Sequence, residues 1–145
     1  MTPAPTSSPA LRPAPGPTTR FVVTGAALVG LALHLWGLYR DHGPPMFSWL
    51  PQTDKLEHLV GFGLPCLLVL VAVHVHAAAA GRWPGPRAVT LVVGLFLLHA
   101  VVSEIVQGEF YTTRSGDPFD ALADVVGTFL GLAACLLLRR THGRA

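Results

Sequence analysis

Residues 54–80 read DKLEHLVGFGLPCLLVLVAVHVHAAAA: a charged opening, then no Asp, Glu, Lys or Arg from Leu59 to Ala80. About 20 apolar residues in helical rise cross the roughly 30 Å of a bilayer's hydrocarbon. The apolar residues form a block rather than an amphipathic stripe, so lipid, not a protein core, is their expected solvent. Asp54-Lys55-Leu56-Glu57 has the form of a capping box and sets the start of the helix. Pro65 lies inside the run, where it frees the Gly61 carbonyl and is expected to kink the helix.

Three further stretches read the same way. Phe21 to about Tyr39 is apolar, follows Arg12 and Arg20, and ends without a small-residue cleavage pattern, so it is an uncleaved first span with Trp36 and Tyr39 at the interface. The third span runs from about Ala88 to Gln107. The fourth starts at Asp117-Pro118, with proline at its first position, and runs to about Leu138. Gly127 and Gly131 give it a GxxxG face for close packing, with the third span as the expected partner. The fold class is therefore all-α, a polytopic bundle of four transmembrane helices.

Composition agrees. Of 145 residues 51% are hydrophobic and 12% charged, and the mean hydropathy is +0.51, too apolar for a water-soluble surface. No basic cluster interleaves with aromatics, which excludes a nucleic-acid binder. Cys66 and Cys135 lack CxxC-type neighbours and read as packing residues rather than a disulfide or zinc site. Residues 1–20, rich in Pro, Ala, Ser and Thr, form a disordered tail in this reading, residues 21–138 the membrane domain and residues 139–145 a basic tail.

Orientation follows from Lys and Arg. With the N-terminus inside, Arg12, Arg20, Arg82, Arg87, Arg139, Arg140 and Arg144 are cytoplasmic, and only Arg40, Lys55 and Arg114 of the ten lie outside. Both termini are thus expected in the cytoplasm. All eight acids, Asp41, Asp54, Glu57, Glu104, Glu109, Asp117, Asp120 and Asp124, belong to the outer side.

That concentration defines the candidate site. Helical spacing puts Asp54 and His58 on one face beside Lys55, Glu104 and Gln107 on one face of the third span, and Asp120 and Asp124 on one face of the fourth. Arg114 is on the connecting loop. Ionisable groups inside a span cost roughly 2.5–3.5 kcal/mol each unless paired or wetted, and Glu104 and Asp124 lie deepest. His58 and Glu104 are the candidate acid–base pair, His58 being oriented by Asp54. Asp54, Lys55, Gln107, Arg114, Asp120 and Asp124 are the candidate binding residues. Each has a plainer reading: Asp54, Glu57, Asp117 and Asp120 as helix caps, Lys55 and Arg114 as interfacial anchors, Glu104 and Asp124 as an interhelical ion pair. No HxxxH or HxxE spacing supports a metal at His58, Glu104 and Asp124, and nothing calls for a cofactor. His34, His74, His76 and His99 read as packing or interfacial residues.

The same residues carry a family resemblance. Residues 54–62, DKLEHLVGF, resemble the DKxxHxxxF opening of the VanZ-like membrane proteins. Residues 104–107, EIVQ, resemble their ExxQ, Arg114 their following arginine, and residues 120–127, DALADVVG, their DxxxNxxG, with Asp124 where that family most often has Asn. The resemblance implies a multi-pass protein of the bacterial inner membrane and cell envelope, from a family whose founding members are linked to teicoplanin resistance. Two functions stay open. An outward-facing pocket could hold an anionic lipid or lipid-linked cell-wall precursor through Lys55 and Arg114. Alternatively, the polar cluster only holds the helices of a structural or accessory protein together.

Overall fold

The computed structural model describes residues 14–40, 53–111 and 116–144; Arg114, residues 41–52 with Asp41 and Trp49, and residues 1–13 lie outside them. It contains four helices, α1 (Pro17–Tyr39), α2 (Thr53–Ala79), α3 (Pro86–Phe110) and α4 (Pro118–Arg144), and no strand among the described residues. Each is long and apolar enough to cross a membrane. Their outward faces carry Phe21, Leu28, Leu91, Leu98, Phe129 and Leu137, all at least half exposed within the bundle. A surface of that kind is stable only against lipid.

Local chemistry sets the helix ends. Proline occupies the first turn of α1, α3 and α4, where its missing N–H costs nothing. At the other end of α2, Gly81 takes a φ of 67°, and the Gly81 and Arg82 amides donate back to Ala78 and Ala77, both at 3.0 Å. That left-handed cap turns the chain into α3. The helices overrun the apolar blocks. α1 starts at Pro17 rather than Phe21, and Thr18, Thr19 and Arg20, assigned by sequence to the tail, are helical. α4 continues past Leu138 to Arg144. Arg139 and Arg140 there complement the helix dipole, and the Arg139 guanidinium lies 5.0 Å over the Trp83 ring.

α2 is continuous through Pro65. The His34 ring of α1 comes close to the Gly61 backbone, whose carbonyl Pro65 cannot satisfy. The core is small: Leu38, Phe62, Cys66, Leu70, Phe96, Ala100 and Cys135, with both cysteines free thiols.

The partner of the α4 glycines is α2, not α3 as the short connection suggested. A Cβ on Gly127 would fall on the Leu59 carbonyl oxygen and 3.1 Å from the Gly63 nitrogen. One on Gly131 would meet the Gly63 carbonyl oxygen, and one on Gly63 would lie 2.9 Å from the Gly127 oxygen. α2 carries a glycine facing the α4 pair, which lets two backbones touch; α3 has none placed to do so. In lipid, where burial of apolar surface supplies no drive, such close van der Waals packing is a main source of helix association.

Candidate functional site

Because α2 and α4 touch along the glycine stripe, the charged stretches just above it are pressed together. The Lys55 ammonium donates to Asp117 Oδ2 at 2.9 Å and Asp120 Oδ1 at 2.8 Å. This bond holds the Asp117 carboxyl below the usual carboxylate range. One turn deeper, His58 Nδ1 meets Asp124 Oδ1 at 2.9 Å. Asp124 has no exposed surface and His58 has 6%. A carboxylate at Nδ1 selects the tautomer with its proton there, which leaves Nε2 as the base, 4.0 Å from Asp120 Oδ2.

α3 closes the third side. Glu104 Oε2 accepts the Asp117 backbone N–H at 2.8 Å, and its Oε1 lies 3.9 Å from His58 Nδ1. Gly116 makes this contact possible, since a Cβ there would lie 2.7 Å from the Glu104 carbonyl oxygen. Glu104 is therefore held by a backbone amide, Lys55 goes to Asp117 and Asp120, and Arg114 lies outside the described residues. Two buried carboxylate oxygens, Glu104 Oε1 and Asp124 Oδ2, have no hydrogen-bond partner among the described residues.

Of the candidate residues, the structure brings together Asp54, Lys55, His58, Glu104, Asp120 and Asp124. Gln107 points elsewhere: its Nε2 donates to the Leu38 carbonyl at 3.1 Å, tying α3 to the end of α1. Lys55 is occupied by two carboxylates, so it is not a free anion-binding group. Asp54 lies in the first turn of α2, where a carboxylate suits the helix dipole, and Glu57 faces Arg40 at 3.7 Å. Two triads offer metal-ligand atoms within 4.8 Å of one another, Asp54–His58–Asp120 and His58–Glu104–Asp124.

Sequence reasoning missed two features. The first is a groove of about 310 Å³ between α1 and α2, walled by Leu33, Trp36, Val60, Leu64 and Pro65 and ending at Arg40, Asp54, Glu57 and His58. The second is a chain of polar rings across α1 and α3: Tyr39 Oη to His99 Nε2 at 2.9 Å, and His99 Nδ1 to His34 Nε2 at 3.1 Å. Each imidazole in that chain can donate from one nitrogen and accept at the other. Only the lone proline in α2, with its orphaned carbonyl, hinted that a polar group must come from another helix. No family model, curated protein or solved structure matches the chain.

Proposed function

We propose that this integral membrane protein holds the polar end of a membrane lipid or lipid-linked precursor at His58, with the apolar chain lying in the groove between α1 and α2. The observation that carries the reading is the groove itself. Its walls are apolar where hydrocarbon would lie, and its end gathers Arg40, Asp54, Glu57 and His58 where a headgroup would lie. Concave, mostly apolar sites with a few convergent polar groups are the usual form of small-ligand sites. His58, oriented by Asp124, presents Nε2 to such a headgroup and can accept a proton from it.

The order of the DKxxHxxxF, ExxQ and DxxxDxxG segments supports placing the chain with the VanZ-like proteins of the bacterial cell envelope, with the polar end of the bundle facing outward as the basic residues argue. The carboxylates around Lys55 weigh against direct capture of a bare anion there. Arg40, which faces Glu57 at 3.7 Å, lies at the same end of the groove.

Gly37 lines the groove, and a Cβ added there meets nothing within 4 Å. Gly37→Leu should fill the groove without disturbing the bundle. Native mass spectrometry of gently extracted protein should find a co-purifying lipid on the wild type and at least about tenfold less on Gly37→Leu, about 1.4 kcal/mol of affinity. Equal lipid on both at equal melting temperature refutes the groove and favours the structural reading, in which the polar cluster only joins the helices.

A further inference from the structure

We propose that His58, Glu104 and Asp124 form a binding site for one divalent transition-metal cation. The inference does not rest on the groove, but it shares His58 with it: an ion on Nδ1 puts the ring's proton on Nε2, which then donates to a headgroup instead of accepting from it. The inference starts from two atoms: Asp124 Oδ2 and Glu104 Oε1 are buried carboxylate oxygens without a hydrogen-bond partner among the described residues. The Asp124 side chain has no exposed surface and that of Glu104 only 11%. An orphaned carboxylate oxygen in an apolar bundle is among the costliest groups to bury. Both carboxylates approach the same imidazole nitrogen, His58 Nδ1, where one cation would compensate them together.

The charge balance points the same way. Asp54, Glu104, Asp117, Asp120 and Asp124 surround Lys55 and His58, and Lys55 is spent on Asp117 and Asp120. The deeper carboxylates, Glu104 and Asp124, receive no described cation except a protonated His58.

Geometry then selects the ion. One imidazole nitrogen and two carboxylates form a mixed N/O set of the kind that suits zinc, manganese or iron rather than magnesium or calcium. Ligand atoms around a tetrahedral ion with bonds of about 2.0–2.2 Å are about 3.4 Å apart. From His58 Nδ1, Asp124 Oδ1 (the hydrogen-bonded oxygen, beside the orphaned Oδ2) is at 2.9 Å and Glu104 Oε1 at 3.9 Å, values that bracket that spacing. Entry of the ion moves the ring proton from Nδ1 to Nε2 and replaces the His58–Asp124 hydrogen bond with two metal bonds. The ligands come from three helices: His58 from α2, Glu104 from α3 and Asp124 from α4. An ion here would staple the three helices at the polar end.

The test uses the untagged full chain in detergent, stripped with EDTA and then supplied with Zn²⁺, Mn²⁺ or Mg²⁺. The expected result is one Zn²⁺ or Mn²⁺ retained per chain after desalting, with a melting temperature several degrees higher, and little response to Mg²⁺. Glu104→Gln and Asp124→Asn keep the side-chain shapes and remove the charge. Each should weaken Zn²⁺ binding by at least about tenfold, since even outer-shell changes weaken metal sites by 10–100-fold. Glu109→Gln, on the exposed end of α3, should bind as the wild type does. No ion retained by the wild type overturns the proposal, as does equal retention by wild type and the Glu104→Gln/Asp124→Asn double variant. Loss of the ion in Asp54→Asn but not in Glu104→Gln also overturns it, by placing the ion in the neighbouring Asp54–His58–Asp120 triad.

Discussion

Along the seam between α2 and α4, residues 54–58 meet residues 117–124 through charged side chains, while residues 59–67 meet residues 127–131 through nearly bare backbone. In the first stretch Lys55, His58, Asp117, Asp120 and Asp124 bridge the gap with contacts of 2.8–2.9 Å. In the second, Gly63, Gly127 and Gly131 leave no gap to bridge. Long side chains can re-aim when a helix shifts, whereas two touching backbones cannot. The glycine stretch therefore sets the interhelical distance, and the charged stretch inherits it. The site is a consequence of the packing below it.

Breaking the glycine stretch should have the largest effect. Gly127→Leu drives a side chain into the Leu59 carbonyl, and the whole seam has to open. We expect no monodisperse folded protein on size exclusion in detergent. Leu132→Ala, at a partly buried position on the same helix, should lower the melting temperature and leave the protein folded. Folded Gly127→Leu with an unchanged melting temperature would reverse the assigned order of dependence.

Next is the buried pair in the charged stretch. His58→Ala leaves the Asp124 carboxylate in the core without its donor, and an unsatisfied buried group of this kind costs about 1–3 kcal/mol or more. The His58→Ala/Asp124→Ala double variant should recover part of that loss, measured by unfolding in a denaturing detergent. Additive losses would mean that the two side chains act separately.

The smallest effect sharpens the comparison at its solvent edge. The Lys55 hydrogen bond lowers the folded-state pKa of Asp117 below its unfolded value of about 3.9. Its contribution to stability is therefore complete above about pH 4 and disappears as pH falls through the lower folded-state value. Asp117→Asn should show a weaker loss of melting temperature than the wild type between about pH 4 and pH 2. Identical acid profiles would remove Asp117 from the charged stretch as an energetic partner.

The four spans were legible in the sequence because lipid is a uniform solvent. A long block without charge has few alternatives to a spanning helix, and Pro118 marks a start by a local rule; the apolar blocks alone put the starts of α1 and α3 at Phe21 and Ala88, past Pro17 and Pro86, which open them. Alternation along the chain also placed His58, Glu104 and Asp124 at one end of the bundle, since odd and even helices run in opposite directions. Partners were a different matter. The choice of α2 over α3 for Gly127 and Gly131 depended on Gly63, whose facing direction is set only when three helices compete for one surface. Gln107 shares a helical face with Glu104, yet a turn of helix was enough to send it to the Leu38 carbonyl and leave Glu104 with the Asp117 amide. Lys55 could have met any of several carboxylates, and its two bonds were decided by the approach of α4. Periodicity and hydropathy are local sums over neighbouring residues, so one chain carries them. Which side chain meets which depends on angles and distances between helices, and only the packed bundle decides those.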